Sequence, residues 1–351
     1  MSKRIVFTLT ILIMLACPCF AQEWVDLGDK MLASNAGRGA RAIAVDPESG
    51  TIFKTNKSDL FLSKDQGQTW EAIDQGQIKG ALWFALSLRY DPLTGGIAVF
   101  KKDPQDQEVQ GAISMDLGQT WHPFTRVTEG MDKLRSYGWS WGVVDWSDNP
   151  PQNMLARMHH STRIWKTTDG GQNWAELSPQ SSYFGIFDDK TYVVALDKKK
   201  SIIRTTDAGA TWETVQEDIE ITAHIPTLRG DHMYWLAKDG VIYTDDQGKS
   251  WQKTEGRLED AYWGPYFGLT ENDMMVITLE AIYLTHDGGK TWNRVADNRA
   301  REVEKDFGEP KHRFDWFIGR TGWGWDATNN IIYVGHGKLE KLQLPKAGKG
   351  E

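Results

Sequence analysis

An eight-residue motif occurs six times in this chain and limits the possible folds more than any other feature. Each copy has the form Ser/Thr-x-Asp-x-Gly-x-Thr/Ser/Asn-Trp; the first spans Ser63 to Trp70 and the last spans Thr285 to Trp292. The steps from one motif Asp to the next are 51, 53, 38, 39 and 41 residues. A repeat of this length suits a small sheet of four strands, the unit from which β-propellers are assembled.

The residue types of the motif suit a tight turn. The Asp carboxylate can accept hydrogen bonds from backbone N–H groups of its own turn, and Gly can adopt a positive φ. The Trp then begins the next strand and can pack its ring between neighbouring sheets. We therefore expect the motif carboxylates to build turns rather than an acid cluster or a calcium site; these residues are Asp65, Asp116, Asp169, Asp207, Asp246 and Asp287.

The octapeptides resemble Asp-boxes, also called BNR repeats. Such repeats occur in sialidases, xyloglucan-degrading endoglucanases, sortilin-type receptors and photosystem II assembly factors. The resemblance covers residues 63–292 directly and implies a propeller fold, not a particular activity. It also implies that the boxes lie on the lower face of the ring, opposite a ligand-binding upper face. A typical sialidase is not expected, because Arg38 and Arg41 precede the first box without that family's Arg-Ile-Pro motif.

The strand pattern around the boxes predicts an all-β, seven-bladed propeller of four-stranded blades. Six blades carry the boxes, and a seventh without a box is expected within residues 315–344. The segment Trp24 to Leu27 is similar to the Trp-x-x-Leu strand that follows a box, so we expect it to complete the last blade. Closing the ring in this way removes an open sheet edge. Six blades plus a flap is the alternative.

The first 21 residues have the features of a secretory signal peptide. A short basic start, Lys3 and Arg4, precedes a largely apolar run, and small residues stand before a cleavage point after Ala21. The apolar run is too short for a stable membrane span, and a lipid anchor at Cys17 fits the pattern less well. We expect a secreted or periplasmic protein with a single propeller at 22–346 and a disordered tail at 347–351.

Cleavage after Ala21 would leave no cysteine, because Cys17 and Cys19 lie within the leader. Without Lys3 and Arg4, 38 basic residues stand against 48 acidic ones, a net charge of −10. Such a charge does not favour nucleic acid as a partner. No spacing of ligands indicates a metal, and no cofactor is expected; the oligomeric state stays open.

Aromatic and polar residues cluster where the chain should enter the upper face and the central channel. The candidate ligand-binding residues are Trp83, Trp139, Trp141, Arg157, Arg163, Tyr183, His224, Tyr262, Trp263 and Trp316. The candidate catalytic residues are His159, His160 and Asp315. Many propeller aromatics only fill the channel wall and the spaces between blades, and this alternative applies to each ring.

The sequence favours an exported propeller that binds or processes carbohydrate at its upper face. Aromatic rings with polar edges suit the apolar faces of sugars. Whether the chain is an enzyme stays open; a glycoside hydrolase or a polysaccharide lyase would be the expected class. The alternative is a non-catalytic scaffold or assembly factor that binds a protein partner.

Overall fold

The computed structural model contains seven antiparallel sheets of four strands each, arranged as the blades of a propeller. It describes residues 23–27, 42–55, 60–73, 87–100, 111–124, 139–158, 161–299, 322–335 and 339–345. The predicted leader, the tail at 347–351 and the loops between these ranges lie outside the described residues. The prediction of seven four-stranded blades is confirmed, and the six-blade alternative is wrong.

The first three blades run in chain order from the innermost to the outermost strand. Blade 1 consists of β2 (Ile43–Val45), β3 (Ile52–Thr55), β4 (Leu60–Ser63) and β5 (Glu71–Ala72). Blade 2 consists of β6 (Ser87–Asp91), β7 (Gly96–Phe100), β8 (Gly111–Ser114) and β9 (His122–Phe124). Blade 3 consists of β10 (Trp139–Val144), β11 (Met154–Met158), β12 (Ile164–Thr167) and β13 (Ala175–Leu177).

The next three blades repeat this order. Blade 4 consists of β14 (Tyr183–Ile186), β15 (Tyr192–Leu196), β16 (Ser201–Thr205) and β17 (Glu213–Gln216), with a 3-10 turn at Asp197–Lys199. Blade 5 consists of β18 (Thr227–Arg229), β19 (His232–Ala237), β20 (Gly240–Thr244) and β21 (Gln252–Lys253). Blade 6 consists of β22 (Ala261–Phe267), β23 (Met274–Thr278), β24 (Ala281–Thr285) and β25 (Asn293–Asp297).

Blade 7 joins the two ends of the described chain. Its strands are β26 (Gly322–Asp326), β27 (Ile331–Gly335), β28 (Leu339–Gln343) and, outermost, β1 (Trp24–Asp26). Trp24 pairs with Leu342 and Asp26 with Glu340, in antiparallel register. The predicted closure of the ring by the N-terminal strand is therefore confirmed.

Each box forms the hairpin between the third and fourth strands of its blade. In the first box, Asp65 accepts hydrogen bonds from the backbone N–H of Thr69 at 2.8 Å and from its hydroxyl at 2.5 Å. The Ser63 hydroxyl donates to Asp65 and accepts from the N–H of Gly67, which has a φ of +85°. The bonds from Thr69 are the largest cause lowering the pKa of Asp65 to about 2. The other five boxes repeat this network, with Asn173 supplying an amide where a hydroxyl stands elsewhere.

The box glycines also fit neighbouring blades together. A Cβ added to Gly118 of blade 2 would lie 2.7 Å from Ile73, the residue after the outer strand of blade 1. Gly209 of blade 4 meets Leu177 of blade 3 in the same way, at 2.3 Å. A side chain at these positions would overlap the preceding blade, so the box sets the distance between blades as well as the turn.

The core lies between the blades. The second strand of most blades is buried along its full length, as in β7, β11, β23 and β27. These strands are continuous apolar runs rather than alternating ones, because neighbouring blades cover both of their faces. The first strands, by contrast, line the central channel. Their side chains therefore form the wall of the candidate site.

Candidate functional site

The first strands of the blades surround a channel with a volume of about 310 Å³. Aromatic side chains from blades 2, 3, 6 and 7 line it; they are Tyr90, Trp141, Trp146, Tyr262, Trp263, Tyr266, Phe267, Trp323 and Trp325. The volume is at the lower end of the range for small-ligand sites. The channel is therefore the candidate site.

A column of stacked groups stands beside the channel where blades 3, 4 and 5 meet. The guanidinium of Arg157 lies 4.2 Å from the ring centroid of Trp141, which is itself 4.2 Å from the ring of His224. The ring of His224 stacks on Tyr183 at 5.3 Å. The sequence-predicted residues Trp141, Arg157, Tyr183 and His224 are thus brought together, and of these four Trp141 and His224 line the channel.

The column holds His224 in its neutral form. Burial lowers the pKa of His224 to about 3, and the positive charges of Arg157 and Arg89 act in the same direction. Nδ1 of His224 lies 3.2 Å from the carbonyl oxygen of Ser182. Because a carbonyl can only accept, Nδ1 carries the proton and Nε2 is the bare nitrogen.

Arg157 is almost fully buried behind Trp141, with 7% of its surface exposed. One of its terminal nitrogens donates to the hydroxyl of Ser182 at 2.5 Å, whereas its Nε has no hydrogen-bond partner among the described residues. Burial lowers its pKa to about 10, so that the guanidinium stays charged at neutral pH. The charge on this side of the channel is therefore positive.

Blade 6 contributes its aromatic side chains through an irregular first strand. The pairing of β22 with β23 shifts between Trp263 and Tyr266, at Gly264–Pro265. Gly264 has a φ of +109°, and a Cβ there would lie 2.7 Å from the carbonyl oxygen of Met275, so this position requires glycine. The irregularity re-aims the strand where Tyr262, Trp263 and Tyr266 reach the channel wall.

The channel also contains residues that were not predicted from the sequence, among them Arg89 and Tyr266. Arg89 lies on β6 of blade 2, and Tyr266 lies on β22 of blade 6. The only local signal for Arg89 is a basic residue in a first strand, next to Leu88, which is buried. Such a residue is unusual in a wall made mainly of apolar side chains.

The remaining sequence-predicted residues lie elsewhere. Trp139 is 1% exposed and packs against Trp174, with ring centroids 4.6 Å apart, in the core rather than in the channel wall. Arg163 pairs with Glu176 at 3.3 Å on the exposed side of blade 3. Five candidates lie outside the described residues; they are Trp83, His159, His160, Asp315 and Trp316.

Within the described ranges, no group of three or more His, Cys, Asp or Glu side chains is arranged to hold a metal ion. In the same ranges, no helix has the length and apolar character needed to span a bilayer. Asp91 is the one carboxylate among the described residues of the channel wall, and it accepts hydrogen bonds from Thr94 in a turn.

Comparison with known proteins supports the identity of the repeats. The family described as BNR/Asp-box repeat matches residues 242–253 and 283–294. A xyloglucanase of a Paenibacillus species is 24% identical over 314 residues, which cover 78% of this chain but 28% of the relative. The xyloglucanase Xgh74A of Acetivibrio thermocellus is also 24% identical over 314 residues, with 34% of its length covered. The chain thus spans about a third or less of these relatives.

Solved structures show the same fold at low sequence identity. A GH74 enzyme of Niastella koreensis has a TM-score of 0.55 at 15% identity, covering 93% of this chain and 55% of the enzyme. PorZ, a surface component of the type-IX secretion system of Porphyromonas gingivalis, has a TM-score of 0.54 at 10% identity, covering 93% of this chain and 39% of PorZ. YCF48 bound to D1 peptide has a TM-score of 0.50 at 14% identity, with 94% and 97% covered.

Proposed function

We propose that this seven-bladed propeller of BNR type is an exported protein that binds carbohydrate at the mouth of its central channel. The observation that carries the proposal is the channel wall, which combines the aromatic rings of Trp141, Tyr262 and Trp263 with polar groups in a volume of about 310 Å³. Sugars present apolar faces to aromatic rings and hydroxyl groups to hydrogen-bonding partners. The distant similarity to xyloglucanases supports the same ligand class.

The proposal is for binding rather than hydrolysis. Glycoside hydrolases generally place two carboxylates on either side of the bond that is cleaved. The described part of the wall has one, Asp91, and its carboxylate is engaged by Thr94. The described wall therefore supplies groups that hold a saccharide but not the pair that would cleave it.

The test is binding of a glycan panel to the purified protein and to single-ring variants. Tyr262→Ala removes a ring from the channel wall, whereas Tyr243→Ala removes a ring from the third strand of blade 5 and serves as a control. One ring face buries about half of the 150–250 Å² of an aromatic side chain. At about 25 cal/mol per Å², the loss of this contact weakens binding by about 2 kcal/mol, which corresponds to a roughly 30-fold larger dissociation constant.

Trp141→Ala tests the column in the same assay. We expect weaker glycan binding than for the control, together with lower stability, because the ring contacts both Arg157 and His224. A wild-type protein that binds no glycan but binds a defined protein partner would replace this proposal with the scaffold function. Export is tested separately: the mature protein should begin at Gln22.

A further inference from the structure

Three polar groups meet inside the channel from walls that are far apart around the ring. Arg89 comes from blade 2, Tyr266 from blade 6, and His224 from the segment that leads into blade 5. All three line the same volume. Burial raises the pKa of Tyr266 and lowers that of His224, and the positive charge of Arg89 reaches both groups, acting against the rise at Tyr266 and with the fall at His224. The three groups therefore act on one shared space.

Arg89 carries a charge without a matching carboxylate among the described residues. Its Nε donates to the carbonyl oxygen of Gly142 at 3.4 Å, and none of the ion pairs between described residues includes it. Burial lowers the pKa of Arg89 to about 10, which leaves it charged at neutral pH. Arg89 is half-buried in a largely apolar wall, and a guanidinium in such a place without an opposite charge is costly. Its planar fork matches a carboxylate, which would offset that cost.

Tyr266 and His224 supply complementary partners. The backbone N–H of Trp323 donates to the hydroxyl oxygen of Tyr266, and burial raises the pKa of this phenol, so it keeps its proton for donation. His224 uses Nδ1 for the carbonyl of Ser182, which leaves Nε2 as an acceptor. The channel thus contains a cationic donor, a neutral donor and a neutral acceptor.

We propose that the channel binds the carboxylate of an acidic saccharide, a uronic acid residue. Arg89 and Tyr266 donate to the carboxylate, and Nε2 of His224 accepts a hydrogen bond from a hydroxyl of the same sugar. This inference rests on the proposed carbohydrate-binding function and specifies its ligand class. The aromatic wall around the three groups favours a sugar ring over a free inorganic anion.

The test compares trigalacturonate with its methyl ester by calorimetric titration of the wild-type protein. The ester keeps the sugar rings and removes the negative charge, so it is a matched ligand control. We expect the acid to bind at least about 30-fold more tightly than the ester, the scale seen when one partner of a buried charged pair is lost. Xyloglucan oligosaccharides, which are neutral, serve as a third ligand.

Variants then assign the effect to the channel. Arg89→Met should weaken binding of the acid by about 30-fold or more and leave binding of the ester nearly unchanged. Arg294→Met, on the outer strand of blade 6, is the matched control and should change neither. Tyr266→Phe should weaken binding of the acid by a smaller factor of about 5–10. Arg89→Lys, which keeps the charge but not the fork, should give an intermediate loss.

Together, the outcomes distinguish failure of the uronate site from failure of carbohydrate binding. Equal affinity for the acid and the ester, or tight binding of the acid by Arg89→Met, overturns the uronate site and leaves carbohydrate binding intact. Binding to none of the saccharides overturns both. If an acidic peptide binds through Arg89 and trigalacturonate does not, the channel is an anion site but not a saccharide site, and the inference is again overturned.

Discussion

The strand that closes the ring allows a direct test of how the propeller is held together. Trp24 packs edge-on against Trp323 at a ring-centroid distance of 6.3 Å. Leu27 packs against Gly67 of the first box. A Cβ added to Gly67 would lie 2.7 Å from the side chain of Leu27. Between Trp24 and Leu27, Val25 is 50% exposed. We therefore compare the double variant Trp24→Ala/Leu27→Ala with Val25→Ala.

The expected magnitudes follow from burial. Full burial of a large apolar side chain stabilises a protein by about 1.5–3 kcal/mol. Because Trp24 and Leu27 are only half-buried, we expect each truncation to cost about 1–2 kcal/mol and the double variant about 2–4 kcal/mol. The exposed control should change the free energy of unfolding by less than about 0.5 kcal/mol. Loosening β1 also uncovers β28 as an open edge, which promotes association between molecules.

The assay is urea unfolding followed by tryptophan fluorescence, with size-exclusion chromatography before unfolding. The double variant should unfold at a lower urea concentration and form oligomers, and Val25→Ala should match the wild type. If the double variant has the same unfolding midpoint as Val25→Ala and stays monomeric, the closing strand does not stabilise the ring, and the reasoning is refuted.

Three further predictions concern the blades. The box hydrogen bonds lower the pKa of Asp207 from 3.8 to about 2, so the stabilising effect of its carboxylate is complete above about pH 4 and is lost as the pH falls toward 2. The melting temperature should therefore drop across this window, and it should drop less in Asp207→Ala. A melting temperature that does not change with pH would contradict the assignment. Gly142→Ala should destabilise by about 1–3 kcal/mol in urea unfolding, because the new Cβ would lie 2.1 Å from the buried ring of Phe100. Trp235→Phe removes a buried hydrogen bond of 2.7 Å to the carbonyl oxygen of Ala223 and should cost about 1–3 kcal/mol by the same measurement; a change below 0.5 kcal/mol would show that the bond is not stabilising.

The sequence predicted the blades well because their determinants are local. The bonds that the Asp carboxylate of a box accepts join residues no more than four positions apart, as between Asp65 and Thr69, so the motif itself specifies the hairpin. The closing strand was predicted for the same reason, since Trp24 to Leu27 has the pattern of a fourth strand. The number of blades then follows from counting the units.

The candidate site was predicted only in part because its determinants are not local. Arg89 and Tyr266 lie on different blades and line the same channel, and the residues next to each of them in the sequence do not indicate that the two share a site. Trp139 and Trp141, two residues apart, are expected to share one face of a regular strand. The pairing of β10 with β11 shifts between them, so Trp139 enters the core whereas Trp141 reaches the channel.

The register of the closing strand determines how the ring would respond to a mechanical load. The chain enters β1 at Trp24, opposite Leu342, and leaves β28 just beyond Leu342. Tension between the two flanking segments is thus applied at the same end of one antiparallel pair, which opens one hydrogen bond at a time instead of shearing all of them together. At the far end of this pair, Glu340 is held by both Nε and a terminal nitrogen of Arg299, each at 3.1 Å. Strands β1 and β28 would therefore separate from Trp24 toward this ion pair, and the ion pair would be the last contact to break.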